Sequence, residues 1–242
     1  MYSNRVFLAG ASGAIGRRLV PQLVNAGFVV FGTTRKMQSA REIEQLGASP
    51  VVVDVFDYPA LASALKAAQP GTVMHQLTDL PHTLTGALSD QALRSNARLR
   101  DEGTRKLVEA AIGAGAQRLI AQSLAWVYAP GPEPHTEEHP LDVEAKGAAA
   151  ITMAGVVALE RLTLNSPPLR GVVLRYGQLY GPGTWNTAQG GPVPVHVDAA
   201  AFAALLAARS DRVGIFNIVE ERGKVSAEKA RRELGWEAAF RL

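Results

Sequence analysis

The chain has 242 residues, 47% of them hydrophobic and 19% charged, with a formal net charge of +3. That is ordinary globular composition and enough for one sizeable core. It contains no cysteine, which excludes disulfides, thiolate metal sites and thiol chemistry. The basic residues are scattered (Arg17-Arg18, Arg35-Lys36, Arg231-Arg232) and interleaved with acids, against a nucleic-acid footprint. No apolar run is long enough to span a bilayer. The opening MYSNRVFLAG leads straight into a strand, with no signal peptide ahead of it. The expectation is a soluble cytoplasmic protein acting on a small molecule, with no nucleic-acid or membrane partner; a homodimer stays open.

Strand and helix patterns alternate along the chain. Arg5–Ala9, Phe28–Thr33, Val51–Val53, Thr72–His75, Arg118–Gln122 and Gly171–Arg175 are short, nearly continuous apolar runs. Such runs suit a parallel sheet covered on both faces. Between them, Ala14–Asn25, Ser39–Leu46, Pro59–Ala68, Asp101–Ala114 and Asp142–Asn165 carry helical patterns. A proline-rich loop, Pro130–Pro140, follows the fifth strand. After Arg175 the regularity thins into Gly- and Pro-rich sequence. A helix over Ala199–Ala208, a strand near Val213–Asn217 and a last helix over Ser226–Leu234 follow. The pattern predicts an α/β fold, a Rossmann-type doubly wound parallel sheet. Residues 1–176 would form the dinucleotide-binding part. Residues 177–242 would form a reduced C-terminal substrate subdomain, interleaved with the first rather than independent.

The stretch GASGAIG places Gly10, Gly13 and Gly16 directly after a strand and at the start of a helix. Gly10 permits the tight turn, Gly13 lets the backbone approach a pyrophosphate, and Gly16 lets helix and sheet pack closely. Free N–H groups at the helix start hold the phosphates. The second strand ends in Thr33-Thr34-Arg35-Lys36, with no Asp or Glu to accept bonds from a ribose diol. A guanidinium at Arg35 matches a 2′-phosphate, so NADP(H) is the preferred cofactor and NAD(H) an alternative. A solvated loop arginine is the competing reading. Asp54, just past the third strand, is placed to accept a bond from the adenine amino group; a turn aspartate competes with that role.

With these motifs in place, the chain resembles the extended short-chain dehydrogenase/reductase family, the NAD(P)-dependent epimerase/dehydratase group. The resemblance covers most of the chain. It rests on GASGAIG at 10–16, VVVDV at 51–55, EGTRKLVEAA at 102–111, SLAWVY at 123–128, LRYGQLYGPG at 174–183, VHVDAA at 195–200 and KARRELGW at 229–236. It implies a cofactor-contact set of Gly10, Ser12, Gly13, Ala14, Ile15, Gly16, Arg35, Asp54, Val55, Leu77, Ser123 and Tyr176. His75, at the end of the fourth strand, is expected to be structural.

The family's catalytic set does not carry over. Its Tyr-x-x-x-Lys places are held by Thr152 and Val156, and no such motif exists anywhere in 142–165. In the family pattern the ammonium lowers the phenol's pKa so that it trades a proton while hydride moves. A threonine hydroxyl is far too weak an acid for that task. The family's serine or threonine falls at Leu124, with Ser123 adjacent. Ser123 and Tyr128 are therefore the candidate catalytic residues, with Tyr176 a further phenol near the nicotinamide end. For each tyrosine, simple packing with a satisfied hydroxyl is the competing reading. His135-Thr136-Glu137-Glu138-His139 matches an inverted zinc-peptidase pattern, which needs a helix. Pro132, Pro134 and Pro140 oppose a helix there, and no metal site is expected.

The chain is short for the family between Trp185 and Val193 and between Glu220 and Ser226. That leaves a small or open substrate site, or loops absent from this sequence. Two functions remain in play: an NAD(P)-dependent oxidoreductase or epimerase-like protein with atypical catalytic residues, and a catalytically silent NADP(H)-binding sensor.

Overall fold

The residues of β1 (Arg5–Ala9) are buried on both sides of the strand, and this sets the layering. Val6 and Leu8 point into one apolar cluster, with Ile15, Leu19 and Leu23. Phe7 and Ala9 point into the other, with Leu61, Leu65 and Leu107. A strand with two apolar faces has to lie between two helical layers. The computed structural model, which describes residues 3–81 and 86–242, has that three-layer form.

In chain order the elements are β1, α1 (Ala14–Asn25), β2 (Val29–Thr34), α2 (Met37–Gln45), β3 (Ser49–Val52), α3 (Tyr58–Ala68), β4 (Thr72–His75) and α4 (Asp90–Arg98). A π-helical turn over Leu99–Gly103 leads into α5 (Thr104–Gly113), then β5 (Arg118–Leu124), α6 (Ala148–Leu164) and β6 (Arg170–Tyr176). The chain continues with β7 (Gln178–Tyr180), β8 (Pro194–His196), α7 (Val197–Arg209), β9 (Gly214–Ile218) and α8 (Glu228–Leu234). The main sheet has seven strands in the order β3-β2-β1-β4-β5-β6-β9. Every pairing in it is parallel. The order reverses between β1 and β4, where Ala9 pairs with His75, and a crevice opens there at the strands' carboxyl ends.

The segment after Tyr176 contributes β9 to the sheet edge, and α7 packs against α1. Trp236, 1% exposed, locks this end with its indole N–H donating to Ala199 O at 2.8 Å. Outside the main sheet lie the two-stranded β7–β8 ribbon and the loops around Trp185.

Most boundaries differ from the sequence pattern by a residue or two, and the larger differences lie around α4 to α6. The helix expected over Asp101–Ala114 begins at Thr104, because the preceding residues form the π turn that continues α4. Helix α4 was not in the pattern: only Asn96 of its nine residues is buried, so it carries no apolar stripe. Its start is fixed by Ser89, whose hydroxyl accepts from Ala92 N at 3.2 Å. The helix expected from Asp142 begins only at Ala148, since Gly147 at φ 60° breaks the run.

Candidate active site and cofactor cavity

A cavity of about 660 Å³ opens above the β1–β4 switch point. That is within the usual range for a small-molecule or cofactor site. One end is the glycine loop. The first turn of α1 has no side-chain cap, so its leading N–H groups remain available to an anion. The three glycines have separate tasks. Gly10 sits at φ 97°, and a Cβ there would lie 2.6 Å from Gln76 O. A Cβ on Gly16 would lie 2.2 Å from Gly10 O, so both positions are closed by the protein's own backbone. At Gly13 the nearest atom to a Cβ is Gly10 O at an ordinary 3.4 Å, so nothing in the protein itself demands glycine there. Gly13 lines the cavity, so its backbone could be approached by a pyrophosphate.

Gly10, Ser12, Gly13 and Ala14 line the cavity; Ile15 and Gly16 do not, and lie behind the loop in the packed layer. At the end of the cavity beside β2 and β3, Arg35, Lys36, Asp54 and Val55 line the wall. Asp54 Oδ1 accepts from Phe56 N at 2.9 Å, so one of its oxygens holds the turn. Arg35 Nη2 lies 3.3 Å from Asp79 Oδ1, an acid that the fold brings in from 44 residues away. The sequence around β2 shows no such neighbour. Asp79 N is held in turn by Asn96 Oδ1 at 3.0 Å, so α4 positions this acid.

At the other end, Leu77, Ser123, Leu124 and Tyr176 line the wall. Gln122 Nε2 donates to Leu77 O at 2.9 Å and ties β5 to the end of β4. His75 is fully buried beneath them. Leu77 N donates to His75 Nδ1 at 3.3 Å, which leaves Nε2 to carry the proton toward Thr104 Oγ1 at 3.0 Å. Burial, and then the nearby Arg100 charge, push this histidine down to about 4, so it is neutral near pH 7. It packs behind the cavity wall and does not line it.

Ser123 lines the cavity, but its hydroxyl proton is committed. Ser123 Oγ donates to Glu160 Oε1 at 2.7 Å. The same carboxylate takes a bidentate pair from Arg175, Nε to Oε1 at 2.9 Å and Nη2 to Oε2 at 2.7 Å. Glu160 and Arg175 are 5% and 3% exposed. Burial opposes the Arg175 charge, yet hydrogen bonds to Glu160 and its charge raise this arginine above the usual range. Tyr128 belongs to the same network rather than to the cavity. Its hydroxyl donates to Asn217 Oδ1 at 2.6 Å and accepts from Arg175 Nη1 at 2.9 Å. It does not line the cavity wall, and burial raises its phenol. The candidate proton donor Tyr128 is thus a packed tyrosine with a satisfied hydroxyl.

Thr152 and Val156 also lie off the cavity wall. Val156 is 1% exposed and packs with Val127 and Met153. Among the described residues that line the cavity, Tyr176 is the only phenol and no histidine appears. Burial pushes Tyr176 far up from its ordinary value. Sequence reasoning missed Arg100, which the π turn brings into the wall beside Leu99, and the rim residues Trp126 and Trp185. An arginine in a polar helical window carries no signal of burial, and the two tryptophans sit in irregular loops. The histidines of the 135–139 loop are used in packing: His135 stacks on Tyr128 at 5.1 Å, and His139 Nδ1 accepts from Thr136 N at 2.8 Å. No group of three or more metal-ligating side chains occurs among the described residues.

Fold, loop and cavity together define a dinucleotide-binding protein. A family model described as NAD(P)H-binding matches residues 10–159. The chain is 40% identical over 245 residues to 3-diazoavenalumate denitrifying reductase from a Streptomyces species, covering 93% of this chain and 78% of that protein. It is 29% identical over 189 residues to a ketoreductase from Stigmatella aurantiaca, covering 73% of this chain and 51% of that one. Among solved structures, the UDP-glucose 4-epimerase of Thermotoga maritima superposes with a TM-score of 0.80 at 18% identity, covering 98% of this chain and 94% of its own. The UDP-glucose 4-epimerase of Thermus thermophilus in complex with NAD gives 0.73 at 23% identity, covering 96% and 84%. The chain belongs to the NAD(P)H-binding family and has the extended short-chain dehydrogenase/reductase fold. No helix among the described residues is long and apolar enough to cross a membrane.

Proposed function

We propose that the protein is an NAD(P)H-dependent reductase whose acceptor takes hydride without a proton from the protein. The observation that supports this reading is the cavity wall around Ser123. Among the described residues it offers no group that trades protons near neutrality: Thr152 and Val156, at the places where the family resemblance puts Tyr and Lys, lie off the wall, and Tyr176 is pushed up by burial. A carbonyl acceptor becomes an alkoxide and needs that proton promptly. A diazo-bearing aromatic carbon in its diazonium form does not. When bound, the reduced nicotinamide supplies the hydride, whose electron pair forms the new C–H bond while the C–N bond breaks and its pair leaves with N₂. Charge balances without acid catalysis, because the cationic acceptor becomes a neutral arene. The name of the Streptomyces relative describes a denitrifying reduction of a diazo compound, which supports this class. The chain's own residues hold the pyrophosphate at Gly13 and α1, shape the wall through His75 and Leu77, and keep Ser123 fixed on Glu160.

NADPH is the proposed cofactor, with NADH also accepted. Arg35 and Lys36 at the adenine end support a 2′-phosphate, and Asp79 beside Arg35 moderates the preference. The test uses a hydroxyarenediazonium salt and NADPH deuterated at the nicotinamide C4. Deuterium is expected at the carbon that lost nitrogen, with enzyme-dependent oxidation of the cofactor. Loss of N₂ without cofactor oxidation, or with unlabelled hydrogen at that carbon, overturns the reading.

A further inference from the structure

Arg100 is a buried cation without a hydrogen-bond acceptor among the described residues. It sits in the π turn, is 5% exposed, and lines the cavity with Leu99, Ser123 and Leu124. No described residue accepts a hydrogen bond from its guanidinium. Its nearest opposite charge is Glu160, and that carboxylate is already taken up by both Arg175 contacts and by Ser123. His75, the other titratable neighbour, is neutral. Two guanidiniums thus share one carboxylate, and the surplus positive charge faces the cavity. A buried charged donor without a partner is costly, so an acceptor entering from the cavity is favoured at this position.

We propose that Arg100 anchors an oxyanion of the substrate, a carboxylate or a phenolate on an aromatic ring. This rests on the reductase reading and names the substrate class of the same site. The pyrophosphate is not the partner, because it belongs at Gly13 and the start of α1, whereas Arg100 is grouped with β4, β5 and α6 through His75, Ser123 and Glu160. A guanidinium presents a planar fork that matches an oxyanion with two hydrogen bonds. The ring is accommodated by Trp126 and Trp185, which line the same cavity and are 44% and 38% exposed. Trp185 is fixed by its indole N–H, which donates to Pro81 O at 3.0 Å. Exposed, oriented indoles at a cavity rim suit a flat aromatic ligand.

Calorimetry on the NADP-loaded full chain tests this with 4-hydroxycinnamate, its methyl ester and its phenol methyl ether. The free acid is expected to bind, and one derivative to bind about tenfold to a hundredfold more weakly. Loss on the ester assigns the carboxylate; loss on the ether assigns the phenolate. Arg100→Gln should abolish that difference, Arg100→Lys should keep part of it, and NADP affinity should be unchanged in both. Equal binding of all three compounds to the wild-type protein, or no binding of the acid, overturns the proposal without any variant. Loss of NADP affinity in Arg100→Gln also overturns it, since the cation would then serve the cofactor. Failure of the reductase reading is seen separately, as absent hydride transfer with cofactor and probe binding intact.

Discussion

In the proposed cofactor preference, Arg35 and Asp79 act as a pair. A 2′-phosphate has to draw the Arg35 guanidinium away from a carboxylate 3.3 Å distant, and that carboxylate repels the phosphate. Asp79→Asn should therefore tighten NADPH binding by about threefold to tenfold and leave NADH nearly unchanged, the scale of a part-exposed charge contact. Titration calorimetry with both cofactors reads this directly, and unchanged NADPH affinity contradicts it. The glycine loop gives a second contrast. Gly13→Val has room in the folded protein but fills the pyrophosphate approach, so cofactor binding should fall at least about a hundredfold with little change in melting temperature. Gly16→Val meets backbone and should destabilise the fold by about 1–3 kcal/mol or more. If Gly13→Val unfolds the protein as Gly16→Val does, the glycines do not divide their tasks this way. The loop and Arg35 were legible in the sequence because glycine spacing after a strand is local information. Asp79 was not, because its neighbourhood with Arg35 exists only once β2 and the segment after β4 lie at the same end of the sheet.

The α4–α6 contact is the most exacting fit between helices at this site. A Cβ on Gly155 of α6 would lie 2.8 Å from Ala97 Cα of α4, so the helices touch through backbone. Gly155→Val should cost about 1–3 kcal/mol in denaturant unfolding. It should also weaken binding at the cavity, because α4 leads directly into the π turn that carries Arg100. Wild-type stability in that variant would show that α4 gives way freely. The strands of the sheet were legible as apolar runs, since a strand buried on both faces needs one. Helix α4 was illegible for the opposite reason: it shields the site with a polar outer surface and buries only Asn96. Arg100 was hidden with it. An arginine following ARL in a charged window reads as solvated, and only the π turn puts it inside, on the cavity wall.

For the molecule as a whole, His75 links stability to pH. Its folded value near 4 is below the ordinary 6.5, so the native protein holds it neutral while the unfolded chain takes up a proton below about 6.5. Stability from this source is fully present above pH 6.5 and is lost as pH falls toward 4, by up to about 3 kcal/mol. Denaturant unfolding at pH 7.5 and pH 5 should show the loss, and His75→Gln should flatten the difference. A His75→Gln variant with an undiminished pH slope would assign the effect to other groups. The three-layer architecture was foreseeable from alternating strand and helix patterns. The membership of β9 in the main sheet was not, because a parallel partner for β6 can be supplied from any later segment and short apolar runs carry no address.

The contact between α1 and α7 carries a consequence for how the protein is made. Helix α1, residues 14–25, is covered by one that is not complete until residue 209. A chain emerging from the ribosome in order therefore displays Leu19 and Leu23 with their final cover still untranslated, however well β1 to β5 have paired. Vectorial folding cannot finish the front half early. The face of α1 that α7 covers is therefore expected to stay open until α7 has been made.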